Sequence, residues 1–286
     1  MAAGNDMVSM ATKVHVAGQV AKSSDCNEDY CLKRMRKSSL YGLKLDGVER
    51  PGLKFAEDIS EYKQAFKLVH DEYVASKYFE ASPDHPYHYS RFSFLPESSI
   101  FILKSDNVVV ATLTEIFDTP ESGIPMDELY KREVNRFRDK DRRVAELSAF
   151  VVGSNFRMRN VMIYLCGAMF KYSRSNSIND ICIMVNPKHV KFYTKMFFFE
   201  QFGPALYYEK VSAVAVPLRV NLDNIDELLK EKYGHGDSSE NLHSFFCGGT
   251  ANQNMFSGLQ LPLKKRLTPP NVMEFFCHPR QQALAA

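Results

Sequence analysis

The most constraining stretch of this chain is Arg142 to Glu200, where an apolar strand pattern, AELSAFVV, carries a single acidic residue, Glu146. Val144 to Val152 has the apolar run of a buried strand, and Gly153-Ser154-Asn155 breaks it. Val161 to Tyr172 then carries apolar residues at helical spacing. Asn176 to Asp180 is turn-rich, Ile181 to Val185 reads as a short strand, and Pro187 opens a helix to about Phe198. A strand, a helical crossover and a second strand favour a parallel pair. A carboxylate inside such a strand is costly to bury unless it is paired or put to use.

The flanks extend this pattern. Ser60 is a good N-cap for a helix over Glu61 to about Tyr78, with Tyr62, Phe66, Val69 and Tyr73 at helical spacing. SIFILKSDNVVVATLTEIFD contains two β-branched runs joined by Ser105-Asp106-Asn107, a hairpin signal. A charged helix follows from about Pro125, with Met126, Leu129, Tyr130, Val134 and Phe137 on one face. After Gly203, Tyr207 to Val211 and Val214 to Leu222 read as two more strands. Together these elements predict an α/β (α+β) core: a mixed, mostly antiparallel sheet with helices on both faces. Residues 1–50 read as a polar extension and 51–223 as the folded domain. Residues 224–286, with a short charged helix over Ile225 to Tyr233, read as an appendage.

Composition narrows the function classes. A hydrophobic fraction of 45% over 286 residues suffices for a sizeable core. A net charge of +2 lacks the strong basic excess of a nucleic-acid binder. The longest apolar run, Val161 to Phe170, is well short of the ~18 residues of a membrane span. No secretory h-region is visible near the start, so a cytoplasmic setting is expected. Lys33, Arg34, Arg36 and Lys37 either meet an acidic partner or a membrane surface, or belong to a solvated extension. Six scattered cysteines give no zinc-knuckle spacing, and His85 and His88 have no ligand pattern beside them. A reduced protein with no metal is the expectation.

The motifs AELSAFVV, FRMRNVMIYLCGAM and VNPKHVKFYTKMFFFEQFG resemble the central half of the GNAT N-acyltransferase fold. More narrowly, GIPMDELYKREVNRFR followed by AELSAF and NPKHVKFY resembles the long-chain N-acyl amino acid synthase (FeeM-type) family, over about Leu53 to Asp223. Coenzyme-A-binding members of the superfamily place R/Q-x-x-G-x-G/A at the helix start, so that backbone N–H groups cradle the pyrophosphate. Here Met158 and Asn160 stand where those glycines are expected, and their side chains crowd a close approach. The resemblance therefore implies acyl-phosphopantetheine on an acyl carrier protein as donor, with no tightly bound cofactor. The alternatives to this leading reading are an acyl-coenzyme A donor, an acyl-homoserine lactone synthase, or a silent carrier- or lipid-binding adaptor. Against the lactone synthases, the arginine of their E-L-S-R pattern is replaced by Ala149.

The residues and the resemblance together suggest roles. Glu146 is the candidate base, its pKa raised by desolvation, with a structural pair to Arg142 or Arg143 as the alternative. Backbone N–H groups of Phe150, Val151 and Val152 are candidates for the oxyanion site. Tyr193 is the candidate acid for the departing thiolate. Asn186 and His189 are candidates for the pantetheine amides or the acceptor carboxylate, and Thr112, Asp118 and Arg143 for the acceptor amino acid. Arg138, Lys140, Arg142, Arg157 and Arg159 are candidates for an acidic carrier protein. Phe101, Leu103, Met162, Phe197, Phe198 and Phe199 are candidate walls of an acyl tunnel, or plain core.

Overall fold

The computed structural model describes residues 45, 47–81, 84–156, 160–235, 242–248 and 267–277. Arg157, Met158 and Arg159, the basic cluster at 33–37, Cys26 and Cys31 lie outside the described residues.

Eight strands build the sheet: β1 (Gly52–Phe55), β2 (Ser98–Ser105), β3 (Val108–Phe117), β4 (Val144–Val152), β5 (Asp180–Val185), β6 (Glu200–Gln201), β7 (Leu206–Tyr208) and β8 (Ala213–Asn221). Their order is β1-β2-β3-β4-β5-β8-β6, with β7 also pairing with β8. Every pairing is antiparallel except β4–β5, which the crossover helix makes parallel. The predicted mixed, mostly antiparallel sheet is thus what forms. Asp106 turns the β2–β3 hairpin at a left-handed φ of 53°, a conformation that aspartate tolerates.

Seven helices accompany the strands among the described residues: α1 (Ile59–Ala75), α2 (Asp127–Arg138), α3 (Val161–Ser175), α4 (Pro187–Phe197), α5 (Ile225–Tyr233), α6 (Leu242–Cys247) and α7 (Pro270–Cys277). They cover both faces, as the alternation along β2 shows. Phe101 and Leu103 join the core formed with α3, whereas Ile100 and Ile102 join the core formed with α1 and α7. On β4, Ala145 and Leu147 belong to the α3 side, and Val144 packs with α2. Period two therefore turns Glu146 toward α2.

Several elements depart from the sequence reading. Asp58, not Ser60, caps α1, because its carboxylate accepts from the Glu61 amide at 2.9 Å and leaves Ser60 inside the first turn. The four-residue β1 was too short to register as a pattern. The strand read over Tyr207 to Val211 shortens to β7, because residues 209–211 form a 3-10 turn ending on Ser212 at φ 45°. Asn186 and Pro187 start α4 as expected, the Asn186 side chain accepting from the Lys188 amide at 3.2 Å.

The described helices beyond Asp223 pack into the core. Phe245 of α6 is fully buried against Gly167 of α3, where an added Cβ would stand 2.5 Å from the phenyl ring. Phe276 of α7 stacks among Phe66, Tyr89 and Phe94, with ring centroids 5.1–5.7 Å away. Helices α6 and α7 are only six and eight residues long, too short for a periodicity that would announce this burial. Phe245→Ala is expected to cost about 3–5 kcal/mol in urea unfolding of the whole chain. An unchanged midpoint would show that α6 unfolds apart from the core.

Candidate active site

Strands β4 and β5 stay paired only as far as Leu147 and Ile183. Past that point β4 bulges. Thr112 of β3 faces Val151 and Thr114 faces Ser148, so Ala149 and Phe150 together oppose only Leu113. Ala149 takes φ 50°, which bends the strand away from its neighbour. Strand β5 instead continues beside β8 to Val185. The two central strands therefore splay, and a cavity of about 890 Å³ opens between them. Its lining includes Glu146 and Leu147 through Val152 on one side, and Ile183 through Asn186 on the other.

Glu146 stands where the splay begins, 1% exposed. Its Oε2 accepts from the Met126 backbone N–H at 2.7 Å. The loop that delivers this donor has a sequence explanation. Gly123 turns at φ 60°, where a Cβ would strike the Asp127 carboxylate at 2.5 Å. Asp127 accepts from the Ile124 amide at 3.1 Å, and Arg138 holds Asp127 at 2.8–2.9 Å and Asp118 at 2.7 Å. Ile124 and Met126 are thereby buried over the carboxylate. Burial pushes the Glu146 pKa up to about 8; the Met126 N–H works against the rise, and the charges of Asp127 and Asp118 add to it. No basic side chain pairs with Glu146 among the described residues, which removes the alternative of an ion pair with Arg142 or Arg143.

The cavity has two chemically different ends. Toward α3, α5 and α6 it is walled by Met162, Cys166, Met169, Ile225, Leu229 and Phe246. Toward β7 and β8 it reaches Glu128, Tyr208 and Lys210, where Lys210 pairs with Glu128 and the Tyr208 hydroxyl lies 3.4 Å from the same carboxylate. Tyr193 lines the cavity amid Phe192 and Phe199, its hydroxyl without a hydrogen-bond partner among the described residues. Burial raises its pKa well above the usual phenol range, so it keeps its proton.

A family model for the N-acyl amino acid synthase FeeM matches residues 64–221, more than half of the chain. The chain belongs to the FeeM N-acyl amino acid synthase family. It is accordingly an N-acyltransferase. Among solved structures, FeeM from uncultured soil microbes, an N-acyl amino acid synthase, superposes with a TM-score of 0.56 at 23% identity, over 63% of this chain and 95% of that one. The acyl-homoserine lactone synthase LasI aligns at a TM-score of 0.47 and 18% identity, over 61% and 91% of the two chains. The coenzyme-A-dependent lactone synthase BjaI aligns at 0.47 and 14%, over 63% and 89%. A search of curated protein sequences finds no match.

Within this FeeM-family chain, the cavity gathers Glu146, Phe150, Val151, Val152, Asn186, His189 and Tyr193 from the residues singled out in sequence. Met162, Phe197, Phe198 and Phe199 also line it, whereas Phe101 and Leu103 are fully buried core outside it. Thr112 is buried, its hydroxyl donating to the Phe101 carbonyl at 3.1 Å, so it does not reach an acceptor. Asp118 is engaged by Arg138 rather than free to hold a substrate amine. Arg138 is in turn spent on Asp118 and Asp127, because it braces the loop over Glu146. Arg142 closes the far end of the sheet. It pairs with the fully buried Asp180, and reaches Asn221 and Asp223 at 2.7 Å each. Those partners leave neither arginine available as a docking residue. Arg143 is exposed, its amide bonded to Asn179, and away from the cavity; Lys140 is exposed on the turn after α2.

Sequence reasoning missed Tyr208, Lys210 and Glu128, which come together only because the β7–β8 ribbon folds back beside α2. The raised Glu146 pKa has a consequence for stability. Between the unfolded value near 4.5 and about 8, the folded state holds a proton that the unfolded state releases, so stability falls as pH rises. Glu146→Gln removes that loss. Its melting temperature should exceed the parent's at pH 8.5, by an amount on the order of a few kcal/mol of stability, with the gap closing below pH ~4.5. A pH-independent difference between the two proteins would refute a raised carboxylate.

Proposed function

We propose that this protein transfers a long-chain acyl group from the phosphopantetheine thioester of an acyl carrier protein to the amino group of an amino acid. The observation that carries this reading is Glu146. It is a buried carboxylate with a pKa near 8, held by one backbone N–H at the point where the central strands separate.

The chemistry follows from the positions around it. Glu146 takes a proton from the acceptor ammonium, and the freed amine attacks the thioester carbonyl. Negative charge develops on the carbonyl oxygen beside the β4 bulge, where Phe150 has no cross-strand partner on β3 and its backbone N–H is the candidate donor. The carbon–sulfur bond then breaks as Tyr193, kept protonated by burial, donates to the departing thiolate; the second proton lost by the acylated nitrogen restores the phenol, and Glu146 returns its proton to solvent. The products are an N-acyl amino acid and the free carrier thiol. The apolar end of the cavity accommodates the acyl chain, each buried methylene contributing about 0.8 kcal/mol. Lys210 offers its ammonium to the acceptor carboxylate in exchange for Glu128. The carrier protein is favoured as donor because Met158 and Asn160 replace the glycines of a pyrophosphate cradle.

Incubating the protein with acyl carrier protein loaded with C12–C18 chains and mixed amino acids should yield N-acyl amino acids by mass spectrometry. Turnover with acyl-coenzyme A but none with the carrier would transfer the donor role to coenzyme A. In the active pairing, Glu146→Gln should lower kcat by about 100-fold or more, and the parent rate should rise with pH toward an inflection near 8. Near-parental turnover in that variant would remove Glu146 as base. Lys210→Met should raise the KM for the amino acid about tenfold with kcat little changed; an unchanged KM would place the acceptor carboxylate elsewhere.

A further inference from the structure

The apolar end of the cavity is closed by α5 and α6, and a cluster of three chemically distinct donors joins these helices on their outer side. Asp226 lies in the first turn of α5. His243 and Cys247 stand four residues apart on α6, which places them on one face of that helix. The carboxylate, imidazole and thiol donor atoms all lie within 4.8 Å of one another. Nε2 of His243 is 3.0 Å from Oδ1 of Asp226. Asp226 is exposed and the other two are half-buried, so one side of the cluster opens to water.

We propose that Asp226, His243 and Cys247 bind a zinc ion that clamps α6 onto α5. A sulfur, a nitrogen and a single carboxylate oxygen suit zinc, whereas calcium and magnesium require shells of oxygen. Zinc bonds of about 2.0–2.3 Å in a tetrahedron hold donor atoms about 3.3–3.8 Å apart, which small side-chain rotations here supply. Water completes the fourth position from the open side. On binding, the Cys247 thiol releases its proton to solvent and the thiolate coordinates the metal. The thiolate and the Asp226 carboxylate together neutralise the dication; burial and that carboxylate hold the metal-free thiol protonated, so the ion itself displaces the proton. Ile225 and Leu229 of α5 and Phe246 of α6 wall the apolar arm, so the clamp would hold the closed end of the cavity in place. The seventeen-residue separation of Asp226 and His243 hides this set from any local spacing rule.

Cobalt(II) titration of the full-length, chelator-stripped protein tests the site without any turnover. One equivalent per chain should give a thiolate-to-cobalt charge-transfer band that zinc abolishes stoichiometrically. Cys247→Ser should lose the band, the exposed-site variant Asp226→Asn should weaken cobalt affinity at least tenfold, and a Cys26→Ser/Cys31→Ser double variant should retain the parent signal. Zinc at a hundredfold over its Kd should raise the parent Tm on the order of 5 °C and leave the Cys247→Ser Tm unmoved. Absence of a band, its persistence in Cys247→Ser, full affinity in Asp226→Asn, or its loss in the Cys26/Cys31 variant would overturn the proposal.

Discussion

The carboxylate of Glu146 is the costly object around which the surrounding structure is arranged. An ionised carboxylate in a protein interior is strongly disfavoured unless donors or cations compensate it. Here it receives one backbone N–H and no cation among the described residues, so its proton affinity rises instead. The Met126 donor has to arrive from outside the strand. The loop from Asp118 to Asp127 exists in its observed form to deliver it, with Gly123 permitting the turn and Arg138 neutralising both flanking aspartates. Were Arg138 absent, two further negative charges would lie uncompensated near the same carboxylate.

The second constraint is the departure of β4 from β5. Parallel pairing ends after Leu147, and the bulge at Ala149 interrupts the pairing to β3 at nearly the same level. Both effects free backbone along one short segment and make room between strands that are otherwise central and closed. The base, the unpaired β4 backbone and the Tyr193 phenol thus line one space, although they come from different elements. Polar residues at the ribbon end and methionine, phenylalanine and leucine at the helical end divide that space into halves suited to an amino acid and to a hydrocarbon chain.

Legibility in the sequence followed the strength of the local pattern. The boundaries of β4, the start of α4 at Asn186-Pro187 and the β2–β3 hairpin were readable because period, cap and turn chemistry agree there. Glu146 was readable because one charge interrupts an apolar strand. Asp118 and Arg138 were visible as charges, but their mutual engagement was not, since the partners lie twenty residues apart. Thr112 sat on the expected strand, yet its hydroxyl turns to the Phe101 carbonyl of the neighbouring strand, an outcome of register that no single strand records. Phe245 and Phe276 entered the core from helices of six and eight residues, too short to show a period.

The sequence by itself determined the order of the longer strands and helices between α1 and α5, the family, and the presence of one acidic residue in a central apolar strand. These are local properties, written in periodicity, capping residues and motif order. The tertiary structure alone decided that β4 bulges at Ala149, that Met126 answers Glu146, and that Lys210 and Tyr208 meet Glu128 at one end of the cavity. Each of those depends on distances between residues remote in the chain, and such distances are set by packing rather than by any pattern of neighbours.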